Sequence, residues 1–92
     1  MHTDIKELRQ EIDRIDDQIK TLFEQRMTLA LDIGKIKAEK SLPVQDAARE
    51  NEIISRLTAN QDDDMVTCTK ALFTAILKAS RSYQTKKLGS QQ

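Results

Sequence analysis

The sequence predicts an all-α chain of three helices (long, short and medium) that pairs with a second copy as an intertwined homodimeric bundle. Three observations predict it. Large apolar residues recur from Ile5 to Ile36 at intervals of three and four, with one seam position between Leu22 and Leu29 not apolar, the pattern of a coiled coil. Helix breakers are scarce: Pro43 is the only proline, and Gly34 is the only glycine before Gly89. The rest is rich in Leu, Ile, Ala, Lys, Glu and Gln, which favour helix.

The first helix is expected from about Thr3 to about Lys40, with Ile5, Leu8, Ile12, Ile15, Ile19, Leu22, Leu29, Ile33 and Ile36 along its seam. At 1.5 Å per residue such a rod is roughly 55 Å long. The remaining residues of the chain are too few to cover its stripe, so a second copy is the expected cover. Ser41, Leu42 and Pro43 break the helix, because proline holds the residue before it extended. Asp46 then suits the N-cap of a second helix ending near Leu57 or Ala59, with Ile53, Ile54 and Leu57 on its apolar face. The run Asn60-Gln61-Asp62-Asp63-Asp64 is a loop whose acids suit the positive start of a third helix. That helix is expected from about Met65 to about Thr85, with Val66, Leu72, Phe73, Ile76 and Leu77 facing inward. Residues 86–92 are mostly polar and are expected to fray.

Composition narrows the function. The 92 residues are expected to form one domain spanning 1–92. Lys and Arg number 15, as do Asp and Glu, so no net field draws the chain to nucleic acid or to an anionic membrane. The start of the chain carries charge throughout, and no window has the length and apolarity of a signal peptide or a membrane span. A single cysteine, Cys68, excludes an internal disulfide and fits the cytoplasm. The one histidine, His2, stands in an end expected to be mobile. No glycine-rich phosphate loop, zinc-ligand spacing, Ser-His-Asp set or Cys-His set is present. The expectation is therefore a chain without cofactor or metal, working by binding, positioning and fixed charge.

The candidate site residues interrupt the apolar stripes. The seam calls for an apolar residue at position 26 and the chain has Arg26. An arginine there snorkels out, sets coiled-coil register, or binds an anion, since an unpaired guanidinium in an apolar seam costs several kcal/mol. Lys37 follows eleven residues later, close to three turns on and about 16 Å along the same side of the helix. The two can grip the ends of one metabolite-sized anion, although an isolated helical lysine is commonly solvated. Arg9 lies seventeen residues before Arg26, about 25 Å away and about 100° round the helix. It either pairs with Asp13 or reaches the pocket of a partner subunit. On the second helix, Glu50 stands at the N-terminal end of the Ile53/Ile54 face beside Arg49, which also describes an ordinary capped helix start. On the third, Ser80 and Gln84 continue the face of Phe73, Ile76 and Leu77, four residues apart, where the stripe either ends or turns polar around a ligand.

Taken together, these residues resemble the all-helical (type II) class of chorismate mutases over nearly the whole chain. The resemblance rests on Leu8-Arg9-Gln10-Glu11-Ile12-Asp13, on Glu24-Gln25-Arg26 through Ile33-Gly34-Lys35-Ile36-Lys37, on Pro43-Val44-Gln45-Asp46-Ala47-Ala48-Arg49-Glu50, and on Ser80 with Gln84. Each motif is weak alone, but four in order at the family's spacing are specific. The resemblance implies an isomerase that turns chorismate into prephenate, for phenylalanine and tyrosine synthesis, in an interlocked dimer. It implies that Arg26, with Arg9 from the other subunit, pairs with the substrate's two carboxylates. Lys37 and Gln84 are implied at the ether oxygen, and Glu50 with the backbone near Asp46 at the ring hydroxyl. Ser80 is implied at a carboxylate, and Arg49 as a pocket wall that balances Glu50. Rivals on the same fold are an isochorismate-pyruvate lyase and a 4-amino-4-deoxychorismate mutase. From another class, a non-catalytic coiled-coil dimerisation module accounts for the heptads alone.

Overall fold

The computed structural model describes residues 4–89, so His2, Thr3 and the last three residues of the expected frayed tail lie outside it. Three helices follow one another: α1 (Ile5–Glu39), α2 (Ala47–Thr58) and α3 (Asp63–Lys87). There is no strand among the described residues, and no helix there is long and apolar enough to cross a membrane.

Each helix starts at an aspartate that accepts a hydrogen bond from the backbone N–H three residues on. Asp4 accepts from Glu7 at 2.8 Å, Asp46 from Arg49 at 3.0 Å and Asp62 from Met65 at 2.8 Å. Each such cap satisfies one of the amides that a helix start leaves unpaired. Asp63 and Asp64 fall inside the first turn of α3 rather than in the preceding loop. A carboxylate there is stabilised by the helix dipole, which moves the boundary two residues upstream of Met65.

The ends of the helices depend on backbone geometry more than on Pro43. Ser41 adopts φ 58°, and Leu42 N–H donates to the Lys37 carbonyl at 2.8 Å, closing the end of α1. Asn60, at φ 69°, turns the chain in the same sense after α2. Asparagine tolerates this left-handed conformation better than other non-glycine residues. The third helix continues two residues past its expected end at Thr85. Lys86 and Lys87, expected to fray, are helical, and the helix closes on a cap at Leu88 with Gly89 at φ 67°.

The helix α3 packs on both α1 and α2 and is the middle of the molecule. It runs parallel to α1 at a constant offset: Arg26 meets Ser80, Ala30 meets Gln84, and Gly34 meets Leu88. The short α2 is the return leg between them. Among the described residues the buried hydrophobic side chains are Ala30, Ile53 and Leu77, with Gly34 buried beside Ala30 and Ser80 and Gln84 as the buried polar members. Leu72, expected to face inward, is instead 53% exposed. It lies one residue, about 100° round the helix, from the half-buried Phe73.

Every residue from 4 to 22, the N-terminal half of α1 with its cap, is exposed. The seam residues Ile5, Leu8, Ile12, Ile15, Ile19 and Leu22 are among the exposed large apolar side chains, as are Leu29, Ile33 and Ile36 further along. The molecule is accordingly a rod with extents of 60 × 26 × 14 Å.

The caps give the first prediction. Asp62→Ala leaves the Met65 amide without its partner and should lower stability by about 1 kcal/mol. A lower urea midpoint at unchanged slope checks this; an unchanged midpoint would show that the cap contributes nothing.

Candidate active site

The face of α1 that meets α3 is distinct from the exposed seam. It carries Phe23, Arg26, Met27, Ala30 and Gly34, all at least partly buried. Ala30 and Gly34 are small, and that lets α3 come close. A Cβ built on Gly34 would stand 3.0 Å from Leu88 Cδ1 and 3.2 Å from Gln84 Cγ. At this contact Gln84 is 6% exposed, and its Nε2 donates to the Ala30 carbonyl at 2.6 Å. That carbonyl also serves the helix ladder, so the buried amide is tied to the backbone of α1.

One turn earlier, Arg26 leaves the line of the exposed seam and turns towards α3. Its Nη1 donates to Ser80 Oγ at 3.0 Å, and Ser80 Oγ donates onward to Met27 Sδ at 3.4 Å. The hydroxyl therefore orients the guanidinium, leaving its other N–H groups for an anion. Three turns on, Lys37 Nζ donates to the Val44 carbonyl at 3.1 Å. The chain turns back after Ser41, and this bond straps the loop across the end of α1. Two ammonium protons remain available.

These groups surround one cleft of about 280 Å³, near the lower end of the ~300–1,000 Å³ range of small-molecule sites. Ala30, Ile53 and Leu77 supply an apolar floor, with Leu29, Ile33 and Val44 at the wall. Around it stand Arg26, Lys37, Arg49 and Arg81 with Asp46, Glu50, Ser80 and Gln84. Four cations against two carboxylates make this a locally positive cavity in a chain of zero formal net charge. An anion entering it exchanges water for fixed donors over an apolar base, where their attraction is less screened.

Seven of the eight residues expected at a site are thus brought together: Arg26, Lys37, Asp46, Arg49, Glu50, Ser80 and Gln84. Arg9 is the exception. It is exposed on the N-terminal half of α1 and lines no part of this cleft. One pairing differs from expectation. Arg49 does line the cleft, but its Nη1 goes to Glu52 Oε1 at 2.6 Å, and the partner of Glu50 is Arg81, whose Nη1 meets Oε2 at 2.5 Å. The reason is helical register: Glu52 is three residues from Arg49 on α2, whereas Glu50 faces across to α3. Arg81 carries only a weak signal in sequence, being four residues after Leu77 on the same side of α3. The Ala30 and Val44 carbonyls carry none, since every residue has one.

Comparison with known proteins is consistent with this arrangement. Residues 8–85 match the family described as chorismate mutase type II. The chain belongs to the type II chorismate mutase family. It is 46% identical over 54 residues to the bifunctional chorismate mutase/prephenate dehydratase of Aquifex aeolicus, covering 59% of this chain and 15% of that protein. It is 38% identical over 53 residues to the chorismate mutase of Methanocaldococcus jannaschii, covering 58% of this chain and 54% of that one. The matched stretches thus span no more than about half the length of these relatives. Among solved structures, a conserved hypothetical protein from Pyrococcus furiosus superposes with a TM-score of 0.74 at 38% identity, over 91% of this chain and 99% of that one.

The tight contact at Gly34 is testable. Gly34→Val should overpack the α1–α3 contact and lower stability by about 1–3 kcal/mol. Gly34→Ala should cost less, because Ala favours helix over Gly by about 1 kcal/mol and Leu88 Cδ1 is the end of a flexible side chain. Chemical denaturation of both variants checks this; equal and negligible losses would mean the helices have room to spare.

Proposed function

We propose that this chain is a chorismate mutase, an isomerase that converts chorismate to prephenate for phenylalanine and tyrosine synthesis. The observation that carries the reading is the cleft in which Arg26, Lys37 and Gln84 converge over an apolar floor. Family membership over residues 8–85 supports it.

The reaction is a concerted intramolecular rearrangement. The ether carbon–oxygen bond breaks while a carbon–carbon bond forms between the enolpyruvyl group and the ring, and no proton changes hands. No nucleophile, base, cofactor or metal is required, and the task reduces to shape and charge. Arg26 pairs with one substrate carboxylate and helps hold the dianion folded, with the two carbons that will bond in contact. Ser80 keeps that guanidinium in its orientation. As the ether bond lengthens, negative charge grows on its oxygen. Lys37 and Gln84 donate to that oxygen, and because the charge is larger in the transition state than in the ground state, the gain appears in rate. Glu50 accepts from the ring hydroxyl, and Asp46 fixes the start of α2 beside it. Over an isochorismate-pyruvate lyase, the trio Asp46, Arg49 and Glu50 lining the cleft favours the mutase.

A second copy of the chain is the partner we assign to the exposed seam of α1. Nine large apolar side chains in coiled-coil register, from Ile5 to Ile36, support that assignment. An opposed copy of α1 carries Arg9 to the other protomer's cleft, where it pairs with the second carboxylate. The three helices act as one catalytic unit within that dimer. A cytoplasmic location suits the free, exposed Cys68.

The direct test is to follow loss of chorismate and identify the product, with isochorismate run in parallel. Prephenate from chorismate is expected; release of pyruvate from isochorismate alone would replace this reading with the lyase. Arg26→Ala should leave a folded dimer with kcat/KM at least about a hundredfold lower. Near-normal turnover in that variant would remove Arg26 from the site. A mixture of inactive Arg9→Ala and Lys37→Ala protomers should regain activity after subunit exchange, because one site of each mixed dimer then carries both defects and the other neither. Proven exchange without recovery would mean the site is not shared.

A further inference from the structure

Arg81 is the one cation of the cleft that no motif of the sequence singles out. It sits on α3 next to Ser80 and donates from Nη1 to Oε2 of Glu50, joining α3 to α2 at the cleft that both residues line. The side chains are 30% and 21% exposed, so water screens the pair only in part. The other oxygen of Glu50, Oε1, carries no hydrogen bond to the described residues. Arg49 also lines the cleft, and its guanidinium is engaged by Glu52 instead.

This arrangement decides what kind of group Glu50 can hold. A hydroxyl needs an acceptor, and Oε1 remains one whether or not the charge on the carboxylate is offset. An ammonium needs the charge itself. With a guanidinium on Oε2, an ammonium at Oε1 meets a second cation a few ångströms beyond its acceptor, and that repulsion offsets a substantial part of the attraction. Its hydration is lost on entry and is not recovered. We propose that Arg81 is a specificity-determining residue, which makes the carboxylate of Glu50 select a neutral hydroxyl over an ammonium at the same position of the ring. The inference rests on the chorismate mutase reading. It concerns the choice between chorismate and its 4-amino-4-deoxy analogue, which differ only at the group that Glu50 faces. Specificity here comes from a repulsive element built into the site as much as from the attractive one.

The test compares kcat/KM for the two compounds in the full-length protein and in three variants. Wild type should prefer chorismate. Arg81→Gln keeps a donor for Oε2 but removes the charge, and Arg81→Met removes both. In each, the preference for chorismate should fall by about tenfold, chiefly through a lower KM for the amino compound. Arg81→Lys keeps the charge and should stay near the wild-type ratio. Where the amino compound is bound without turnover, its inhibition constant against chorismate supplies the same ratio. An unchanged ratio in Arg81→Gln, or an equal fall in Arg81→Lys, overturns the proposal. Gln and Lys both span the gap on a partly exposed side chain, so these two variants decide the matter even if Arg81→Met does not fold. A wild-type protein inactive on both compounds is a different result, for it defeats the mutase reading itself.

Discussion

The close, parallel contact of α1 with α3 is the constraint on which the rest of this structure depends. Ala30 and Gly34 leave the backbone of α1 bare on one side, and Gln84 enters that gap to donate to the Ala30 carbonyl at 2.6 Å. One turn back along both helices, Arg26 and Ser80 make the equivalent contact. Because the two helices are parallel and in register, the polar residues of one meet the polar residues of the other at a fixed offset. Both buried polar groups therefore find partners, which is the condition for burying them at little cost. The same contact holds Arg26 and Gln84 on the wall of the cleft, so packing and site are one arrangement.

Charge is then sorted around that contact. Cations and carboxylates are equal in number over the chain, yet the cleft holds four cations and two carboxylates. Lys37 is strapped to the Val44 carbonyl, Glu50 is joined to Arg81, and Asp46 caps the helix that carries Glu50. Each of these charged groups is held by something other than a ligand. Preorganisation of this kind suits a reaction in which charge moves within one molecule and no proton is exchanged. The capped start of α2 also shows how one residue serves both stability and site: Asp46 satisfies a backbone amide and fixes the direction in which Arg49 and Glu50 leave the helix.

The balance between core and surface is the reason we assign a partner copy to this chain. Only Ala30, Ile53 and Leu77 form a buried apolar core among the described residues, while nine seam residues of α1 remain exposed on a rod 60 Å long. A domain of this size draws most of its stability from apolar burial, and here the larger apolar surface is outside. Arg9 stands on the same half of α1, too far along the rod to serve its own cleft.

Much of this is legible in the sequence. Three helices, the aspartate cap at Asp46 and the heptad seam follow from local rules of periodicity and capping chemistry, and Arg26 stands out as a charge where an apolar residue belongs. These depend on neighbours within a few turns, which sequence spacing records directly. The other six cleft residues are singled out together by the resemblance to the type II chorismate mutases. What spacing does not record is how one helix lies on another. The small-residue face of Ala30 and Gly34 leaves no mark in a pattern of large apolar residues. The hydrogen bonds of Gln84 and Lys37 end on backbone carbonyls, which every residue possesses. The partner of Glu50 is 31 positions away, whereas Arg49 is the cation that adjacency suggests. Those pairings are decided only when α3 settles between α1 and α2, because which charges meet depends on the register of packed helices and not on their order in the chain.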